Sequence, residues 1–144
     1  GFNWRMDGFQ GAVLSVKLPR LDRWNARRRE IAARYLEGLK GAEGLSPLPY
    51  NNWSRPSWHI FPVFHAKRDE FRTRLEALEV QSGVHYPRPV HLQPAYGSLG
   101  YKAGDFPVAE ELAATEVSLP MFPELSDVQV DLAIGAVRKV CREI

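Results

Sequence analysis

The sequence predicts an α/β fold in which a small sheet packs against helices. Three observations carry this. Long stretches repeat apolar residues at three- and four-residue steps, short stretches between them alternate as strands do, and the two types interleave along the chain. There is no internal repeat and no linker rich enough in Gly, Pro or Ser to divide the chain into independent domains.

The first helix begins at Asp7, whose carboxylate is placed to accept a free N–H. Gln10, three residues on, is placed to reach back to the cap. Phe9, Val13 and Val16 share a face, and Pro19 marks a break or bend. Leu21, Trp24, Arg28, Ile31, Tyr35 and Leu39 predict a long amphipathic helix, which Gly41 and Gly44 can end. "SPLPYNNWSRPS" reads as loop. "SWHIFPVFHA" alternates as a strand. Pro62 lacks an N–H, so this strand is expected at a sheet edge or with a bulge.

"RDEFRTRLEAL" is helical, with Phe71, Leu75 and Leu78 on one side, and "VQSGVHY" reads as a short strand. Asp105 is the expected cap of a short helix over "FPVAEELAAT", and "EVSLPMFPEL" reads as a short strand and turn. Ser126 and Gln129 form a second capping box. They open a last helix with Val130, Ile134, Val137, Cys141 and Ile144 on its face.

The totals exclude several functions. The chain has 144 residues, 44% apolar and 25% charged, which suits one globular domain and not a disordered segment. A net charge of +2 is too small to argue for nucleic acid or an anionic membrane. The lone Cys141 permits no internal disulfide and fits a reducing, cytoplasmic setting. No apolar run reaches the length of a membrane span. The chain opens on "GFNWRMDGFQ" without an initiator methionine, as expected of a piece of a longer protein.

Several constellations of reactive residues have ordinary structural explanations. Arg20, Arg23, Arg27, Arg28 and Arg29 read as a solvated helix face neutralised by Asp22 and Glu30, because no stacking platform or recognition motif accompanies them. His59, His65, His85 and His91 could suggest a metal, but His85 and His91 are separated by two prolines and neither has a cysteine or carboxylate at close ligand spacing, so no metal site is expected. No G-x-S-x-G elbow accompanies any serine, and Cys141 lies on an apolar helix face as an inert core residue.

"HYPRPVHLQPAYGSLGY", His85 to Tyr101, is different. It has no regular period, and its prolines stiffen the backbone, so its side chains are held at low entropic cost. Histidine, tyrosine and glutamine bond to hydroxyls and phosphate oxygens, and tyrosine rings cover a sugar or base face. Such a loop is either one wall of a polar-ligand pocket or a packed loop with its tyrosines in the core. Composition alone does not decide between them.

The motif order does more. "GFNWRMDGFQGAVLSVKLPRLDRWNARRREIAARYLEGL", "WHIFPV", "HYPRPVHLQPAYGSLGY" and "GDFPVAEELAATEVSLPMFPEL" together resemble the C-terminal part of the DegT-type sugar aminotransferases, over nearly the whole chain. These are pyridoxal-phosphate enzymes of nucleotide-sugar biosynthesis. The resemblance implies the aspartate-aminotransferase-like fold (fold type I of the pyridoxal-phosphate enzymes). It places the end of the cofactor domain and a linking helix at residues 1–40, and the small C-terminal domain at 41–144.

The resemblance also implies roles. Asn3 matches the family asparagine that crosses a homodimer interface to the neighbour's cofactor phosphate. Arg5 and Asp7 match the rest of that motif, ordering the interface loop and starting the next helix. His85, Tyr86, His91, Gln93 and Tyr96 match the substrate-binding segment. The substrates implied are a nucleotide-linked keto sugar and an amino-acid donor, usually glutamate, with neither nucleic acid nor membrane as partner. Gly8 and Gly11 depart from the family's usual acidic residue and alanine. Each weakens the first helix by about 1 kcal/mol.

The family's cofactor lysine belongs to a serine-to-lysine segment upstream. Lys17, Lys40, Lys67, Lys102 and Lys139 do not stand in that context, so no catalytic residue is assigned and the chain alone is expected to be inactive. A non-catalytic binding or assembly module derived from the same family is the alternative.

Overall fold

The computed structural model describes residues 5–144; Asn3, with its expected cofactor role, lies outside them, as do Phe2 and Trp4. Eight regular elements follow in order. They are α1 (Gly8–Lys17), α2 (Leu21–Gly38), β1 (Leu45–Pro47), β2 (Phe61–His65), α3 (Arg68–Ala77), α4 (Pro107–Thr115), β3 (Glu116–Leu119) and α5 (Asp127–Glu143). Short 3-10 segments at Leu18–Arg20, Val90–Leu92 and Pro94–Leu99 lie between some of them.

Both capping boxes form. Asp7 accepts from the Gln10 N–H at 2.7 Å and its own N–H is taken by Gln10 Oε1. Ser126 and Gln129 do the same at the start of α5. Pro19 bends the chain without ending its helical course: a 3-10 turn over Leu18–Arg20 leads straight into α2.

The three strands form an antiparallel sheet in the order β1-β2-β3. Alternation along each strand gives the sheet two faces. Phe61 and Val63 of β2, with Val117 and Leu119 of β3, face the helices. They join one core with Ile31, Ala32, Tyr35 and Leu39, Phe71 and Leu75, and Val130, Val137 and Val140. Burying a side chain such as Phe71 contributes about 1.5–3 kcal/mol. The Tyr35 ring lies 4.9 Å from Phe61 and its hydroxyl donates to the Pro120 carbonyl at 3.0 Å, while burial pushes that hydroxyl's pKa well up.

Pro62 corrects one expectation, because β2 is the central strand and not an edge. Ser118, opposite Pro62, exchanges its backbone hydrogen bonds with Gly83 on the other side of β3. The Pro62–Ser118 pair is therefore the non-bonded kind, and the proline nitrogen faces β1. There β1 has already ended, at Pro47 opposite Val63, so no ladder bond is lost. "VQSGVHY" forms no full strand. It contributes only the Gly83–Ser118 bridge along the outer edge of β3.

A second correction concerns α4. Asp105 accepts from the Lys102 N–H within a turn and does not cap the helix. Glu110, one turn inside, reaches back to the N–H groups of Gly104 and Phe106 instead.

The arginine run is only partly a solvated face. Arg20 and Arg23 are exposed, but Arg27 clamps α2 to the start of α5, donating to Asp127 at 2.6 Å and to the Leu125 carbonyl at 2.8 Å. Cys141 is buried, and burial pushes its thiol up. On α1, by contrast, Phe9, Val13 and Val16 are exposed.

Candidate functional site: a loop pinned over the outer face of the sheet

The face of the sheet turned away from the core carries Pro62 and Phe64 of β2 and Glu116 and Ser118 of β3. Together with α4 and the loop from His85 to Phe106 it encloses an open cavity of about 800 Å³. Leu48, Ile60, Pro62, Phe64, Leu99 and Leu112 give it apolar walls, and His85, Tyr86, Arg88, His91, Tyr96 and Tyr101 add polar tips. That composition suits a ligand with an apolar ring face and several hydroxyl or phosphate groups.

Two glutamates hold the two loop histidines. Glu116, from β3, accepts the His85 backbone N–H at 2.6 Å and also the Ser118 hydroxyl. The same Ser118 oxygen lies 2.9 Å from His85 Nδ1. Glu116 and Ser118 are both buried, so the histidine is anchored to the rigid sheet. His91 Nε2 meets Glu110 Oε1 at 3.0 Å. Glu110 also accepts from Gly104 and Phe106, and these backbone N–H groups, with His91, hold its carboxyl below the usual range. The His91 side chain is only 8% exposed, with its ring 4.8 Å from that of Phe106.

The expected loop residues divide accordingly. His85, Tyr86, His91 and Tyr96 line one cavity. Gln93 does not line it; its side-chain amide donates to the Arg88 carbonyl at 3.2 Å and braces the loop. Tyr86 is 72% exposed and free to meet a ligand. Arg88, Tyr101 and the two anchoring glutamates were not singled out by the sequence. The alternation in "EVSL" was the available signal, since it sets Glu116 and Ser118 on one face and Val117 and Leu119 on the other.

The other histidines lie elsewhere. His59 is exposed, while His65 is buried against Phe71 with ring centroids 5.0 Å apart. Among the described residues no cluster of His, Cys, Asp or Glu could hold a metal ion, and no helix is long and apolar enough to cross a membrane. No lysine lines the cavity. Its walls therefore offer groups for a hydroxylated or anionic ligand and none that would bond covalently to pyridoxal phosphate.

A three-stranded antiparallel sheet with helices on one face and the loop from His85 to Phe106 on the other matches the α/β portion of an aminotransferase fold. The chain belongs to the DegT/DnrJ/EryC1/StrS aminotransferase family, whose model matches residues 1–138. It is 44% identical over 138 residues to the erythromycin biosynthesis sensory transduction protein EryC1 of Saccharopolyspora erythraea, covering 96% of this chain and 38% of that protein. It is 42% identical to the dTDP-3-amino-3,4,6-trideoxy-alpha-D-glucose transaminase of Streptomyces venezuelae, covering 96% of this chain and 37% of the transaminase.

The crystal structure of S. venezuelae DesV in complex with a ketimine intermediate superposes with a TM-score of 0.94 at 41% identity, covering all of this chain and 39% of that one. The chain thus spans under two-fifths of the length of these relatives. A more distant relative, Spr1654 of Streptococcus pneumoniae, 27% identical with a TM-score of 0.85 over 96% of this chain and 36% of that one, has been solved in its PLP form, and pyridoxal phosphate is the cofactor of the family.

Proposed function

We propose that this chain is the C-terminal part of a pyridoxal-phosphate aminotransferase that moves an amino group from an amino acid, with glutamate as donor, to a nucleotide-linked keto sugar. The observation that carries the reading is the pair His85 and His91, each held by a glutamate in the wall of one cavity. On this reading His85, Tyr86, His91, Gln93 and Tyr96 form the substrate-binding loop, with Gln93 acting by bracing it. The apolar walls take the sugar ring, and the histidines and tyrosines bond its hydroxyls and phosphates.

Pyridoxal phosphate supplies the electron sink for the transfer, and Asn3 serves its phosphate across a homodimer interface. Residues 1–40 are the end of the cofactor domain and the linking helix, and 41–144 are the small domain. The absence of buried residues from α1 supports this division, as does the start of α2's buried positions only at Ile31. The exposed Phe9, Val13 and Val16 then pack on the rest of the enzyme or on the second subunit.

The lysine that carries the cofactor lies, in this reading, outside these residues, and the chain alone is inactive. The test has two arms. The chain is mixed with pyridoxal phosphate, reduced with borohydride and mapped by mass spectrometry. The enzyme restored from the upstream coding sequence is assayed with glutamate and nucleotide-linked keto sugars. The reading expects no stoichiometric lysine adduct in the first arm and turnover in the second. A single-site adduct with turnover by the chain alone contradicts it, and so does an enzyme loaded with cofactor that transfers nothing.

The alternative is a non-catalytic binding or assembly module. It is favoured by two relatives, the sensory transduction protein EryC1 and a pleiotropic regulatory protein of Geobacillus stearothermophilus, which is 42% identical over 144 residues. An in-frame lysine segment upstream of Gly1 decides for the enzyme.

A further inference from the structure

The contacts beneath His85 fix more than its position. Both oxygens of Glu116 accept: Oε2 takes the His85 backbone N–H at 2.6 Å, and Oε1 takes the Ser118 hydroxyl proton. A serine hydroxyl has one proton to give. Having given it to Glu116, Ser118 can meet His85 Nδ1, 2.9 Å away, only as an acceptor. In the neutral imidazole the proton must then sit on Nδ1, leaving Nε2 as a bare lone pair.

Nε2 has no hydrogen-bond partner among the described residues, and His85 lines the cavity. Gly83 completes the seat. A Cβ there would stand 2.9 Å from His85 Cε1, so the absence of a side chain lets the ring lie down onto Ser118. Gly83 and Ser118 also exchange backbone hydrogen bonds at 3.0 and 2.9 Å, tying the seat to β3.

We propose that Glu116 and Ser118 are positioning residues that lock His85 in its Nδ1–H form, so that Nε2 presents an acceptor to a hydroxyl donor of the ligand. Resting on the proposed function, this makes a sugar hydroxyl, not a phosphate oxygen, the group that His85 reads. A phosphate oxygen offers no proton to a bare nitrogen; a hydroxyl does.

Replacing one atom reverses the pattern. In Glu116→Gln the side chain keeps a single acceptor, which the His85 N–H takes. Its NH₂ then donates to Ser118, whose freed hydroxyl proton turns to Nδ1, the acceptor 2.9 Å away. The histidine proton moves to Nε2, and the cavity gains a donor where it had an acceptor.

The test reads the tautomer by nitrogen-15 NMR of histidine-labelled chain, which has a continuous core of its own. The spectra are recorded on the alkaline plateau, where the histidine nitrogen shifts no longer move with pH. The expected result is Nδ1–H at His85 in the native chain and Nε2–H in Glu116→Gln. An Nε2–H form in the native chain overturns the proposal, as does a Glu116→Gln spectrum with the tautomer unchanged. If Glu116→Gln does not fold, Ser118→Thr and Ser118→Ala take its place. Threonine should keep Nδ1–H, alanine should lose it, and identical spectra from the two overturn the lock.

In the complete enzyme Glu116→Gln should raise KM for the nucleotide sugar about tenfold and leave kcat within about twofold. A switched tautomer with KM unchanged would remove His85 from the ligand's hydroxyls and overturn the second half of the proposal. An unchanged tautomer would sink the lock and leave the proposed function standing.

Discussion

Gly38 on α2 and Ile134 on α5 fit together as a missing side chain and the branch that fills its place. A Cβ on Gly38 would stand 2.7 Å from Ile134 Cδ1 and 2.9 Å from Cγ2, closer than real methyl groups approach. The glycine is there because two helices meet at that point, although glycine is a poor helix former.

Gly38→Ala should therefore destabilise the fold. Overpacking costs about 1–3 kcal/mol, against about 1 kcal/mol regained in helix propensity. Ile134→Ala should be less harmful in the Gly38→Ala background than in the native one. Urea unfolding of the four proteins gives the coupling, and strictly additive effects would contradict the contact.

The junction of α2 and α5 should fail in acid. The hydrogen bond from Arg27, followed by the charges of Arg34 and Arg27, holds the Asp127 carboxyl below the usual aspartate range. Its folded pKa lies below its unfolded one, so its stabilisation is complete above the unfolded value and is lost as pH falls through the folded one. Stability of the native chain should drop between about pH 5 and about pH 2 more steeply than that of Asp127→Asn. Parallel slopes would show that the pair contributes nothing.

His65 acts nearer neutrality. Burial, and then the positive Lys67, lower its pKa; the Lys67 N–H donated to Nδ1 at 3.1 Å needs that nitrogen bare, and only the charge of Glu70 opposes the shift. The fold holds the neutral form, so the stabilisation is present above the ordinary histidine value of about 6.5 and declines as pH falls below it. His65→Phe keeps a ring over Phe71 and removes the titration. Its melting temperature should change less than that of the native chain between about pH 7.5 and about pH 5.5, and an equal change would assign the titration to another group.

Much of this was legible in the sequence where the signal is local. Asp7–Gln10 and Ser126–Gln129 are capping boxes because cap and partner lie three residues apart. The faces of α2, α3 and α5 follow from helical period. Pro62 was misplaced because a proline forbids a bond only on the side its nitrogen faces, and that side depends on where β1 stops. Asp105 fails as the cap for the same kind of reason: the turn at Lys102 takes the aspartate, and Glu110 meets the free N–H groups of Gly104 and Phe106. The histidine loop stood out by composition. Its anchors did not, because Glu116 is 31 residues from His85 and meets it only through the sheet.

Asn3 and the loop should separate cofactor from substrate in the complete enzyme. An amide bonded to a phosphate has a charged partner, so Asn3→Ala should cost about 1.5–3 kcal/mol of cofactor affinity with sugar recognition largely intact. Cofactor absorbance after dialysis, read beside KM, checks it. Full retention would take Asn3 out of the cofactor site.

The central claim is that the loop from His85 to Tyr101 recognises the nucleotide sugar, and His91→Ala in the complete enzyme tests it most directly. KM for the nucleotide sugar, cofactor absorbance and melting temperature are measured on the same preparation. The account predicts KM raised about tenfold with normal cofactor absorbance and kcat within about twofold. A lowered melting temperature with KM unchanged would contradict it and leave the loop as packing alone.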